Sequence, residues 1–175
     1  MSTGSSISKK FEMSRYIDLD VYHAVERSHP YYIEMIAELV REIGDFINGK
    51  GALRMLEIGA GTGLATEDFC AFENIEITAL DLDENCYNIL KDRKLPRVKA
   101  INENAITFCE PGEFDLSVSV FAHDHIKLEL ASSFVSNIRN NLKDGGLYLM
   151  GGEVLPYYNT MEERIESNYT YHIFI

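Results

Sequence analysis

The sequence is short of positive charge, of cysteine and of long apolar runs, and each shortage narrows what the chain can do. Sixteen Lys and Arg stand against 28 Asp and Glu among 175 residues, a formal charge of −12. A surface of that sign repels phosphate backbones and anionic lipid, and no local basic cluster offsets it, so no nucleic-acid partner is expected. The three cysteines, Cys70, Cys86 and Cys109, are an odd number without C-x-x-C spacing. Reduced core thiols fit that pattern better than a disulfide frame or a zinc site, and no metal is expected. No apolar stretch nears the roughly 18 to 20 residues that span a bilayer. Met1 to Lys10 is Ser-rich and lacks the apolar segment of a secretory signal. The expectation is a cytoplasmic protein with no membrane partner and a flexible tail over residues 1–12.

What is present is the balance of a folded domain: 46% hydrophobic and 25% charged residues, without repeats or low-complexity tracts. At this length one core is expected. Ile33, Ile36, Ala37, Val40, Ile43 and Ile47 recur at the three-and-four spacing of one helix face. Tyr16 to Arg27 offers a shorter helix carrying Tyr22 and His23. Residues 13–50 thus form an N-terminal helical segment. From Leu53 the pattern becomes short apolar runs alternating with amphipathic stretches, punctuated by Gly, Pro, Asn and Asp. Strands are predicted at Leu53–Ile58, Ile75–Leu80, Val98–Ile101, Phe114–Val120 and from Leu147. Helices are predicted over Leu64–Phe72, from Asp83 to Leu90, and through Ile126, Leu130, Phe134 and Ile138, the last capped by Asp124 and ended at Lys143 to Gly146. Alternation of this kind is solved compactly by a parallel sheet with crossover helices on both faces.

Chemistry is concentrated where the first strand meets its helix, at Leu56-Glu57-Ile58-Gly59-Ala60-Gly61-Thr62-Gly63. Three glycines let the backbone turn tightly and approach a ligand, while the helix start behind them offers unpaired N–H groups. Asp81 ends the next strand, 20 positions past Gly61. In a doubly wound sheet that places its carboxylate beside the loop, where two oxygens can accept both hydroxyls of a ribose. The dinucleotide fingerprint G-x-G-x-x-G fails here, because the sixth position from Gly59 is Leu64.

With G-x-G-x-G in its place, the sequence resembles the class I S-adenosylmethionine-dependent methyltransferases. The matching features are Glu57 with Gly59, Gly61 and Gly63, the acid in Ala79 to Asp83, the pair Asn104-Ala105, Phe114-Asp115-Leu116, and Leu142 to Leu147. The resemblance covers about Arg54 to Leu155 and implies a Rossmann-like, doubly wound, mostly parallel α/β sheet. It implies S-adenosylmethionine as cofactor and S-adenosylhomocysteine as product, held by Glu57, Gly59, Ala60, Gly61, Gly63, Asp81, Leu82, Asn104, Ala105 and Phe121. Glu57 would serve the ammonium group, Asp81 the ribose, Leu82 the adenine face, and Asn104, standing where the family usually has Asp, the adenine amino group. The Asn/Asp-Pro-Pro-Tyr type motif of nucleobase and amide N-methylation is absent around Phe121 to Ile126. His125 is the preferred base, with Glu153 at the end of strand five and Tyr16 in the N-terminal segment, 13–50, which the resemblance makes a lid over the pocket, as further catalytic candidates.

The implied reaction is methyl transfer to a small-molecule acceptor by in-line displacement, for which alignment and water exclusion matter more than a base. Two other readings stay open at this point: a different reaction on the same cofactor (cyclisation, lyase or aminopropyl transfer), or a non-catalytic cofactor-binding module. The family sheet has seven strands and five are legible here, so residues 51–175 read as a cofactor-binding domain missing its last two strands. The ending Tyr171-His172-Ile173-Phe174-Ile175 adds to the expectation of a truncated chain. The edge of strand five would then be exposed and would invite a homodimer.

Overall fold

The computed structural model describes residues 12–152 and 158–166. Met1 to Lys10, Glu153 to Pro156 and the final Tyr171 to Ile175 lie outside the described residues, so the expectations for the tail, Glu153 and the chain's end find no structural counterpart here. Five parallel strands form one sheet in the order β3-β2-β1-β4-β5. They are β1 Leu53–Ile58, β2 Ile75–Asp81, β3 Val98–Asn102, β4 Phe114–Val120 and β5 Leu142–Gly151. Helices α1 Leu19–Arg27 and α2 Tyr32–Ile47 precede the sheet, α3 Leu64–Phe69 and α4 Glu84–Asp92 link β1 to β2 and β2 to β3, and α5 Leu128–Asn141 precedes β5. The doubly wound α/β sheet expected from the pattern is the architecture observed.

The strands alternate between two cores, one on each face. Leu53 and Met55 of β1 pack with Ile36, Leu39 and Ile43 of α2 and Phe69 of α3. Leu56 and Ile58 turn to the opposite face, where Phe134 and Ile138 of α5 meet Phe108 and Phe114. That period of two on a strand covered on both sides is why β1 reads as nearly continuous apolar sequence. Each fully buried large side chain contributes about 1.5–3 kcal/mol, so these two layers dominate the stability.

Local signals explain most boundaries and also the departures from expectation. Asp83 caps α4 by accepting from the Asn85 amide at 3.0 Å. The α3 helix stops at Phe69 rather than Phe72, and α1 starts at Leu19 behind an Asp18 cap, with a separate 3₁₀ turn at Met13–Arg15. The cap position of α5 is Lys127 rather than Asp124, which lies in a 3₁₀ turn at His123–His125, with Ile126 between that turn and Lys127. β5 starts at Leu142 rather than Leu147. Its register slips between Phe114↔Leu142 and Leu116↔Leu147, so Lys143 to Gly146 form an irregularity inside the strand instead of a helix terminator. Of the cysteines only Cys86 is a core thiol; all three are free, Cys70 is half-buried and Cys109 exposed. Residues 161–166 are helical, within the stretch Thr160 to Ser167 where the sequence suggests a helix. Among the described strands β5 has one neighbour, β4, and its other side faces none of them.

Candidate functional site

The order β3-β2-β1-β4-β5 reverses direction between β1 and β4, and it is outside the carboxyl ends of strands at such a reversal that parallel sheets bind ligands. A cavity of about 650 Å³ occupies that position. Its floor is the end of β1 with Gly59, Ala60 and Gly61, the end of β2 with Leu80 to Asp83, and Val120 to Ala122 after β4. Glu103, Asn104, Ala105 and Ile106 close one side, and His125, Ile126 and Leu130 another. The N-terminal segment supplies the roof through Met13, Tyr16, Ile17, Tyr22, Glu26 and His29.

Glycine is required twice in the loop that leaves β1, once in the floor and once behind it. Gly59 has φ +69°, and a Cβ there would stand 2.6 Å from the Cβ of Ala122. Gly63 has φ +84°, and its Cβ would meet Leu90 Cδ1 at 2.5 Å and Arg93 Nη1 at 3.2 Å. Gly63 is therefore the seat of α4 against the loop, and it is the one expected cofactor residue that does not line the cavity. Glu57, Gly59, Ala60, Gly61, Asp81, Leu82, Asn104, Ala105 and Phe121 all line it, together with two of the three expected catalytic residues, His125 and Tyr16. The third, Glu153, lies outside the described residues. Tyr16 is 72% exposed at the rim.

Asp81 ties the two strand ends together. Its Oδ2 accepts from the Gly61 amide at 2.6 Å and its Oδ1 from the Asp83 amide at 2.8 Å. Burial pushes this carboxyl up to about 6, against the pull of the two amides. Glu57 is 2% exposed and its Oε2 has no hydrogen-bond partner. Burial pushes it up to about 8, against the pull of the Thr66 side chain and with the charge of Asp81 adding to the rise. A buried carboxyl oxygen without a partner costs free energy unless a donor or cation arrives, so the arrangement leaves Glu57 able to receive one. Asn104 Oδ1 accepts from the Ile106 amide at 2.9 Å, which orients the side chain and leaves its second lone pair. Phe121 adopts φ +50°, unusual for a residue with a β-carbon, and its ring lies 6.1 Å from that of Tyr32, stacked at 19°, and 5.8 Å from that of His29. Burial raises the hydroxyls of Tyr22 and Tyr32, which stay protonated. Of the two histidines flanking Asp124, His123 packs edge-on against Phe134 at 5.2 Å, away from the cavity lining. No group of three His, Cys, Asp or Glu among the described residues could hold a metal, and no described helix is long and apolar enough to cross a membrane.

Three connections carried no local signal in the sequence. Ser14 donates its amide to Asp83 Oδ2 at 2.6 Å and its hydroxyl to Oδ1 at 2.9 Å, joining positions 69 apart. His23 Nε2 meets Thr62 Oγ1 at 2.6 Å, which ties α1 to the glycine loop. Arg93 Nη1 donates to the carbonyls of Thr62, at 3.2 Å, and Gly63. The Asp83 cap was legible; its second use as an anchor for Ser14 was not.

The model of the family described as "Methyltransferase domain" matches residues 55–146, more than half of the chain. A curated relative, an uncharacterized methyltransferase of Staphylococcus carnosus, is 29% identical over 136 residues, covering 72% of this chain and 62% of its own length. The chain thus spans less than two thirds of that relative. Among solved structures, a putative S-adenosyl-L-methionine-dependent methyltransferase from Methanococcus maripaludis superimposes with a TM-score of 0.66 at 19% identity, covering 97% of this chain and 74% of that one. Phosphoethanolamine N-methyltransferase 2 of Haemonchus contortus, in complex with phosphomonomethylethanolamine and S-adenosylhomocysteine, gives 0.58 at 24% identity over 76% of this chain and 32% of that one.

Proposed function

Because the chain belongs to the methyltransferase domain family, we propose that it transfers the methyl group of S-adenosylmethionine to a small-molecule acceptor. The observation that carries this reading is the joint of Asp81 with Gly61 at 2.6 Å beside the buried Glu57, whose Oε2 has no hydrogen-bond partner. The residues present fit the cofactor: Glu57 would take its ammonium group, Asp81 its ribose hydroxyls, Leu82 and Ala105 its adenine, and Gly59 to Gly61 its amino-acid chain. When bound, S-adenosylmethionine supplies a methyl carbon already made electrophilic by the sulfonium. What is left to the protein is to align an acceptor and exclude water, which is worth many orders of magnitude in rate. The aromatic roof and Phe121 serve that exclusion, with the N-terminal segment acting as the lid. His125, at the cavity wall near Asp81, is the side chain proposed to take a proton from an acceptor that must lose one. Nothing in the lining calls for a metal or for a nucleic-acid acceptor.

Calorimetric titration with S-adenosylmethionine and S-adenosylhomocysteine tests the first half of the reading. Saturable binding is expected, about 10- to 100-fold weaker in Asp81→Ala, the range for a lost hydrogen bond to a charged group. Labelled-methyl transfer across amine, hydroxyl and thiol acceptors tests the second half. Wild-type affinity in Asp81→Ala defeats the binding reading, and saturable binding without transfer to any acceptor class favours a regulatory module instead.

A further inference from the structure

The glycine loop is held from behind, and the residue that holds it lies outside every motif so far considered. Arg93 follows the last turn of α4 with its side chain 20% exposed. Its Nη1 donates to the carbonyl oxygens of both Thr62 and Gly63, and its Nη2 pairs with Glu67 of α3 at 2.8 Å. Gly63 has no β-carbon, and one placed there would stand 3.2 Å from that guanidinium nitrogen. Thr62, 1% exposed, is gripped on its other side by His23 through its hydroxyl. Two neighbouring carbonyls drawn towards α4 fix the pitch of the peptide planes just beyond Gly61, whose amide faces Asp81. The exposed half of this arrangement, the ion pair with Glu67, is worth little. The charge-assisted bonds to backbone oxygens are the stronger part.

We infer that Arg93 is a positioning residue for the cofactor loop: its guanidinium clamps the Thr62 and Gly63 carbonyls so that the loop presents the Gly61 amide and Asp81 in binding geometry before any ligand arrives. The inference rests on reading Gly59 to Gly63 as the cofactor cradle. Lysine is a poorer substitute, because its ammonium lacks the planar fork that holds the two carbonyls through one nitrogen and Glu67 through the other.

Arg93→Met and Arg93→Lys, compared with wild type by S-adenosylhomocysteine calorimetry, melting temperature and amide hydrogen exchange, test it. Arg93→Met should bind S-adenosylhomocysteine about tenfold more weakly, the scale of a lost charge-assisted bond. Exchange should quicken at Gly61 and Gly63 while β1 amides such as Met55 stay protected. Arg93→Lys should melt near wild type yet remain weak in binding. Binding within twofold of wild type in both variants overturns the inference. So does affinity that recovers in Arg93→Lys in step with melting temperature, which marks a merely structural role. If Arg93→Met does not fold, Arg93→Lys decides. If wild type binds no S-adenosylhomocysteine, the cofactor reading fails, and the exchange comparison still judges the clamp: quickening confined to the loop upholds it, and uniform or absent quickening overturns it.

Discussion

The floor and the roof of the cavity are built on different principles. The floor grows out of β1, β2 and β4, strands whose Met55, Ile75, Leu116 and Val118 are essentially inaccessible to water. Its backbone is further locked by Gly59 and Gly63, where no β-carbon fits. The roof consists of the Met13–Arg15 turn and α1, neither of which contains a buried residue, and half of Val21 and Val25 faces solvent. The polar contacts that hold it down include Ser14 on Asp83 and His23 on Thr62. The contrast sets a surface locked by buried strands beneath a cover with no buried residue, and such a cover is expected to open before the core does.

The largest blow to that contrast is Gly59→Ala. A β-carbon in left-handed backbone, 2.6 Å from Ala122, should cost roughly 2–5 kcal/mol, read by denaturant unfolding. A cost below 1 kcal/mol means the floor is not rigid. Next comes the pH dependence of the ligand-free protein. Glu57, at about 8, binds its proton more tightly folded than unfolded, and so does Asp81 at about 6. Their contribution to stability is therefore full below about pH 4, the unfolded carboxyl range, and declines as pH rises through the two folded values. Glu57→Gln should flatten the decline between about pH 5 and 8, and an unchanged slope places the titration elsewhere. A cationic ligand favours the ionised carboxylate, so its affinity should rise over the same interval.

Smaller effects belong to the roof. Ser14→Ala removes one hydroxyl bond to Asp83 and should cost about 0.5–1.5 kcal/mol of roof closure, seen as faster amide exchange over Met13 to Arg27 with the sheet unaltered. Quickening in the strands as well would join the two regions into one cooperative unit. The slightest effect is that of His23. Burial and the neighbouring Arg93 hold its ring below the usual imidazole range, with Arg27 adding to this and Glu67 opposing it. The stability that comes from seating this ring neutral is present above the ordinary histidine value and is lost as pH falls through the lowered one, so the roof should loosen first on acidification. His23→Gln, which retains a donor without titrating, should remove that dependence.

How much the sequence revealed divides along the same line. β1, β2 and β4 and the Asp83 cap were legible because alternation, glycine punctuation and capping act within a few residues. The cavity-lining positions from Glu57 to Phe121 were legible because they sit at strand ends, where topology dictates what gathers. Gly63 does not line the cavity, and the reason is physical: glycine signals that no β-carbon fits, and it does not say whether a ligand or Leu90 occupies the space. The start of β5 at Leu142 was hidden because Lys143 to Gly146 looks like a helix end and the pairing that makes it strand comes from β4, 28 residues away. Asp124 looked like a cap for the same local reason, although an intervening turn moves the helix start to Lys127–Leu128. Contacts such as Ser14 with Asp83 depend on long-range geometry alone.

One helix touches both regions, and its length matters. Asp83 at the head of α4 fastens Ser14, and Arg93 at its foot fastens Thr62 and Gly63. The nine residues between, Glu84–Asp92, make a strut of about 13 Å. Insertion of a single residue would swing Arg93 by about 100° around the axis, away from the loop, while leaving Asp83 in place. α4 thus acts as a gauge between cover and cradle, its span as constrained as any side chain in the cavity.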